Sequence, residues 1–226
     1  MNILNESSLL ISSHLMSIMV VGCIFFMMDL LCTNEKYRHM KIDVDFPNTM
    51  YGVVTLYLQA IPTICISLAI MCLCVHVFAI SVDWDVVDTM TWTHIGINFI
   101  IIQALSALIV TGIHGVLHIK RLYWIHKTHH QYKYPVSIMA FYSSAIESWL
   151  NFIPLYFMYY VFPIPIILQC VFFMYANFSV MLGHSGFKVK HSYYHTYHHT
   201  KTIFNFAPSP FAWADKIMGT QFLGDH

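Results

Sequence analysis

Ten of the fifteen histidines in this chain lie between positions 114 and 199, in runs spaced for holding metal. They read His114-x-x-x-His118, His126-x-x-His129-His130, His184, His191, and finally His195-x-x-His198-His199. On a helix, residues three and four apart share a face, so each run aims two or three imidazoles at one point. Neutral imidazole ligates iron, zinc and copper, and two such points side by side would hold two ions. The candidate ligands are therefore His114, His118, His126, His129, His130, His184, His195, His198 and His199, with His191 as a further candidate. A structural zinc is normally closed by four ligands, often including cysteine. Nine or ten imidazoles suit two ions with open positions instead. Ligand type does not separate iron from zinc, because zinc stands above iron(II) in intrinsic affinity. Ring nitrogens turned away from a metal need acceptors, and Glu147 and Asp215 are the candidate carboxylates. If the rings lie at the surface, metal occupancy should fall below about pH 6.5, where free imidazole takes up its proton.

The remaining polar and thiol groups read more plainly. His14 and His76 stand alone on apolar stretches and are expected to be satisfied polar residues or interface residues. His39, His94 and His226 lie in loops or at the terminus and carry no assignment. All six cysteines lie in or beside apolar segments and read as small hydrophobes.

These histidines must be positioned by a membrane scaffold. The chain has 226 residues, 58% of them hydrophobic and only 10% charged, with a mean hydropathy of +0.61. Soluble domains carry about a quarter charged residues, and the net charge of zero gives no support for nucleic-acid binding. A helix needs about 20 apolar residues to cross the hydrocarbon. Residues 9–31, 52–80 and 95–118 meet that length, and the first has no basic segment before it, so it reads as a retained span. From Ser148 to Phe187 no Asp, Glu, Lys or Arg occurs. Phe162-Pro163-Ile164-Pro165 must turn the chain inside that stretch. The result is a hairpin with limbs near 145–161 and 166–183. The 32–51 loop carries Lys36, Arg38 and Lys41, whereas the 81–94 loop carries only Asp83, Asp85 and Asp88. Lys120, Arg121, Lys127 and Lys133 follow the third span, and Lys188, Lys190, Lys201 and Lys216 follow the hairpin. The excess of Lys and Arg on cytoplasmic loops then places both long histidine runs on the cytoplasmic side. The expected fold is all-α: a polytopic membrane helical bundle of four or five spans, the last two a hairpin, under a cytoplasmic histidine-rich di-metal cap. Residues 1–94 form its N-terminal transmembrane region and 95–226 its catalytic region, within one integrated domain.

The ordered motifs resemble the fatty acid hydroxylase / sterol desaturase superfamily of membrane-bound, histidine-rich di-iron oxygenases. His129-His130-Gln131-Tyr132-Lys133-Tyr134-Pro135 is similar to that family's histidine pair followed by an aromatic and a proline. His184-Ser185-Gly186-Phe187 resembles its His-Ser-Gly-Tyr element. Asn205-Phe206-Ala207 and Trp213-Ala214-Asp215-Lys216-Ile217-Met218-Gly219-Thr220 resemble its Asn-Tyr-Gly and Trp-Asp…Gly-Thr signatures. The resemblance covers roughly residues 95–222. Two departures stand out: Ser144 falls where sterol-type members carry a histidine, and Tyr194 replaces the first histidine of an HHxxHH cluster.

The resemblance implies two irons with O2 as co-substrate, oxidising an unactivated lipid C–H bond by hydroxylation or desaturation. A sterol is the leading substrate, with a fatty-acyl or sphingolipid substrate as the alternative. It also implies the endoplasmic reticulum as location for a eukaryotic chain, and cytochrome b5 with its NADH-dependent reductase as electron donors. No dinucleotide-binding glycine loop or fused cytochrome motif occurs in the chain, and its basic face suits an acidic donor. Two readings of other classes compete. A metal transporter would place ligands along a path through the membrane, and a diverged, non-catalytic metal-binding membrane protein would hold no redox-active metal.

Overall fold

Hydrocarbon offers no hydrogen bonds, so an apolar run entering it must bond its own backbone, and the helix is the form that does so within one segment. The computed structural model of the protein describes residues 3–42, 46–79, 87–132, 136–207 and 211–222. Asp83, Asp85, Lys133, Tyr134, Pro135, Pro208, Pro210 and His226 lie outside the described residues. The helices are α1 (Ile3–Leu31), a single turn α2 (Glu35–Arg38), α3 (Met50–Ala79), α4 (Trp92–Leu117) and a single turn α5 (Tyr123–His126). Two 3-10 segments follow, His129–Gln131 and Ser137–Phe141, and then α6 (Ala145–Val161), α7 (Ile166–Gly183), α8 (Lys190–Lys201) and α9 (Ala212–Met218). Among the described residues there is no strand, only one isolated antiparallel bridge between Lys41 and Phe187.

Ile11–Leu31, Met50–Cys74, Trp92–Leu117 and Ile166–Gly183 are each long and apolar enough to cross a membrane. Their outward faces are as apolar as their inward ones. Met19, Met27, Leu58, Ile100 and Ile167 are exposed, whereas Phe25, Val53, Ile102 and Phe173 are buried. A helix apolar all round belongs in lipid or in a protein core. The hairpin forms as the prolines require: α6 stops before Pro163, and Pro165 caps the start of α7. With 17 residues, α6 reaches about 26 Å, short of the roughly 30 Å of hydrocarbon.

Helix α1 packs against α7 and α3, α3 also packs on α6, and α6 meets α4. One core cluster gathers Ile70, Met71, Ile102, Tyr159, Phe172 and Phe173 with Ile164 of the hairpin turn. A second, around Phe25, Val53, Val136, Met139, Met181 and Phe187, lies toward the histidine end.

An ion pair locks that end. Lys41, which the sequence places among exposed loop charges, is buried with Asp29. Its ammonium donates to Asp29 Oδ1 and to the Ser185 carbonyl, both at 2.5 Å, while Tyr57 donates to Asp29 Oδ2 at 2.9 Å. The rings of Phe187 and Phe46 stand 3.7 and 4.4 Å from the ammonium. Lys41 therefore contributes nothing to a surface charge bias. It ties the last turn of α1 to the turn after His184 instead. Gly186 in that turn has φ +65°, a conformation open to glycine at little steric cost, and its carbonyl accepts from Ile42 N at 2.7 Å.

Candidate metal centre

Five elements deliver the histidines to one end of the bundle. Helix α4 ends on His114 and His118, α5 supplies His126, and the following 3-10 turn supplies His129 and His130. Helix α7 is capped by His184. Helix α8 carries His195, His198 and His199.

The nine rings divide into two groups. His114, His118, His126, His130 and His198 form one, and His129, His184, His195 and His199 form the other. Within each group one nitrogen per ring lies within 4.8 Å of every other. Two nitrogens on opposite sides of a shared ion stand about 4.2 Å apart, so each group fits one ion after a small contraction. The side chain of His191 lies outside the described residues.

Hydrogen bonds decide which nitrogens face inward. Nδ1 of His114, His184 and His198 lies 2.7, 2.8 and 2.6 Å from the carbonyls of Phe206, Val180 and Phe204. A carbonyl only accepts, so Nδ1 of each of these rings carries the proton and Nε2 presents a lone pair. His126 is held likewise, with Nδ1 donating to Glu147 Oε1 at 2.9 Å. The Nε2 atoms then crowd together. That of His184 lies 3.0 Å from both His129 and His195, and that of His130 lies 3.2 Å from both His118 and His198. Nε2 of His114 and His126 and both nitrogens of His199 are buried without a hydrogen-bond partner among the described residues. Converging, unpaired and buried lone pairs are costly in isolation. A bound cation satisfies them.

Burial also sets the protonation of the centre. It lowers His118 and His184 to about 4. It holds His126, His129, His130, His195, His198 and His199 far below the ordinary imidazole range, and neighbouring rings add to the shift. The expectation of surface rings titrating near pH 6.5 is therefore corrected: these rings are buried and stay neutral and ligand-competent well below that pH.

The carboxylates divide in role. Ser144 caps α6, accepting from Glu147 N at 3.2 Å, and Glu147 on the first turn reaches His126. The serine at this departure from the family pattern is thus a helix cap. Asp215, expected beside a ring nitrogen, bonds no histidine among the described residues. It accepts from Phe206 N, Ala207 N and Thr220 Oγ1 at 2.9, 2.7 and 2.5 Å, and from the Tyr194 hydroxyl at 2.8 Å. It acts on the centre one step removed, by fixing the loop whose Phe206 carbonyl orients His114. Tyr194 serves that same anchor. Asn205 and Thr202 hold the loop in left-handed conformations with φ +59° and +57°, and Asn205 bonds Phe222 through both atoms of its amide. The carbonyls of Val180, Phe204 and Phe206 carry no side-chain signal, so sequence inspection does not find them. Lys41 and Asp29 could have been sought as a buried charge on α1 facing a basic loop.

Two adjoining cavities run from the rings into the bundle. The first, about 110 Å³, is lined by His114, His126, His129, His184, His195 and Glu147 among others. The second, about 200 Å³, shares Val110, Ala140, Ser143, Asn151, Ser179 and Val180 with it and continues between Phe152, Leu155, Phe172 and Phe173. The arrangement can hold two metal ions beside a largely apolar space.

Comparison with known proteins is consistent with this geometry. Residues 99–220 match the family model described as fatty acid hydroxylase. Over 125 residues the chain is 29% identical to "Methylsterol monooxygenase 1" of Gallus gallus, covering 49% of this chain and 42% of that protein. It is 31% identical over 127 residues to the protein of the same name from Rattus norvegicus, covering 48% and 41%. The matched stretch thus spans about two fifths of each relative's length. No solved structure matches the chain.

Proposed function

The chain belongs to the fatty acid hydroxylase family, and on that premise we propose that it is a membrane di-iron oxidoreductase that uses O2 and external electrons to oxidise a lipid C–H bond, with a sterol as substrate. The observation that carries this reading is the split of nine imidazoles, seven of them buried and two half-buried, into two metal-sized groups at the head of a largely apolar cavity. His114, His118, His126, His130 and His198 would hold one ion, and His129, His184, His195 and His199 the other. Iron bound there would supply oxygen activation toward an unactivated C–H bond. The protein's own contribution is position and protonation. Backbone carbonyls and Glu147 keep the proton on Nδ1 of four rings, so that Nε2 stays free for metal. Largely apolar walls suit the body of a lipid, which would enter this space from the bilayer between helices.

The sterol assignment draws on the names of the relatives, and a fatty-acyl or sphingolipid substrate is its alternative. The gathering of ligands at one end of the bundle speaks against a transport path, which needs ligands through the membrane. Exposed Lys120, Arg121, Lys127, Lys188 and Lys190 surround the histidine end and suit an acidic donor such as cytochrome b5, fed by an NADH-dependent reductase. That end would face the cytoplasm of an endoplasmic reticulum membrane.

The test is metal analysis with Mössbauer spectroscopy on protein purified from iron-supplemented cells, followed by turnover of sterols and acyl lipids with cytochrome b5. About two coupled irons per chain and an oxygenated sterol product are expected. Two irons with only acyl products would transfer the reading to the alternative substrate. A metal-free protein without O2 uptake would overturn it in favour of a non-catalytic membrane protein.

A further inference from the structure

The cavity leading away from the histidines does not end in apolar groups. His14 of α1 is 3% exposed, lines the larger cavity, and has no hydrogen-bond partner at either ring nitrogen among the described residues. Of the two expected readings, the satisfied polar residue is therefore corrected, while contact with Phe152 and Phe173 makes His14 an interface residue. Phe173 and Phe152 hold its ring edge-on at centroid distances of 4.8 and 6.0 Å, so packing fixes an imidazole with nothing polar to receive it. Ser106 of α4 is 4% exposed, lines the same cavity, and its hydroxyl likewise lacks a partner. A serine or threonine in a helix can return its hydroxyl to the carbonyl four residues back, as Thr111 does to Ala107. Ser106 does not. Burying a polar group without a partner is costly, and two of them on one cavity call for a ligand.

Their depth shows which part of the ligand they meet. Phe173, in contact with His14, precedes His184 by eleven residues on α7, about 16 Å along the axis. Ser106 precedes His114 by eight residues on α4, about 12 Å. Among the described residues no Asp, Glu, Lys or Arg lines this cavity, so an ionised headgroup there would lack a counter-charge. An imidazole and a hydroxyl can each donate or accept, which suits a neutral oxygen. His14 and Ser106 are also distinct from the ligand groups, and His14 lies outside the stretch matched by the family model.

We propose that His14 and Ser106 form a hydrogen-bonding floor for an uncharged hydroxyl or carbonyl oxygen of the lipid substrate, at the end opposite the carbon presented to the histidines. The inference rests on the lipid-oxidase reading. It makes His14 and Ser106 specificity-determining: the distance between floor and histidines selects a carbon remote from the substrate's own oxygen.

The test is equilibrium binding to the purified full-length protein in detergent, with two probe pairs. Cholesterol is compared with cholest-5-ene, which lacks the hydroxyl, and hexadecanol with hexadecane. Whichever skeleton binds, the oxygenated member should bind the wild type up to about tenfold more tightly, the effect of one well-made buried hydrogen bond. His14→Leu should bring the ratio close to one while leaving affinity for the deoxygenated probe and metal content unchanged. Ser106→Ala should lower the ratio part of the way, and it carries the test alone if His14→Leu does not fold. A skeleton that binds without such preference, or a preference that survives both substitutions, overturns the floor and leaves the oxidase reading intact. Binding of neither skeleton overturns both.

Discussion

His129 and His130 are neighbours in sequence, yet they serve different groups, and so do His198 and His199. Adjacent residues on a helical turn point about 100° apart, so one pair can address two sites. The groups are unequal, with five rings against four, and this has a measurable consequence. His118→Ala leaves four imidazoles in its group and should retain close to two metals per chain. His199→Ala leaves three and should drop the content toward one, and equal losses in the two variants would contradict the grouping. Glu147→Gln replaces the carboxyl that orients His126 and should weaken metal binding about 10- to 100-fold, as read by chelator competition. pH acts through the same rings. Burial lowers His118 and His184 to about 4 in the folded protein, against about 6.5 when unfolded. The unfolded chain therefore takes up protons first as pH falls. Metal-free protein should keep a constant Tm above pH 7 and lose stability progressively from about pH 6.5 to 4. A Tm that rises over that window would show that the rings are not buried and neutral.

At the scale of elements, the centre depends on how helix ends are tied together. Helices α4 and α7 supply only His114, His118 and His184, and the rest come from short turns and from the polar helix α8. Those pieces are held by the Asp29–Lys41 pair below and by Asp215 on the outer side. Removing one member of a buried pair strands a charge, at a cost of about 3–5 kcal/mol. Lys41→Met should therefore lower the Tm in detergent strongly and weaken metal retention through Ser185 and His184. Adding Asp29→Leu to that variant should recover much of the stability, because replacing a whole buried pair by apolar groups is often neutral. A double variant as unstable as the single one would mean that the pair's contacts to Tyr57 and Ser185 matter more than its charge.

For the whole molecule, the basic residues and the histidines share one end, and under the proposed function that placement would join topology to electron supply. Lys120, Arg121, Lys127, Lys188 and Lys190 are exposed there. Exchange of Lys120, Lys127 and Lys190 for Glu should slow reduction by cytochrome b5, and the wild-type rate should fall as salt screens the attraction. Reduction by dithionite should stay unchanged in both cases. Stopped-flow kinetics separate the two reductants, and an equal loss with both would point to a damaged centre rather than a lost docking face.

The element boundaries were legible in the chain because the bilayer is a strict solvent. About 20 apolar residues without charge can only form a helix, and Pro163 with Pro165 can only interrupt one. The nine ligand candidates were legible because imidazole spacing of three and four survives as a shared face. Tertiary structure alone decided how the ligands divide, since His129 meets His184 across 55 residues of sequence and His130 meets His198 across 68. It also decided the acceptors that orient the rings, because the carbonyls of Val180, Phe204 and Phe206 are chemically identical to every other carbonyl in the chain. Burial likewise turned Lys41 from a loop charge into a buried clamp and left His14 facing a cavity without a partner among the described residues. Local pattern specifies which residues can act; which of them act together depends on contacts between segments far apart in the chain, and only folding makes those.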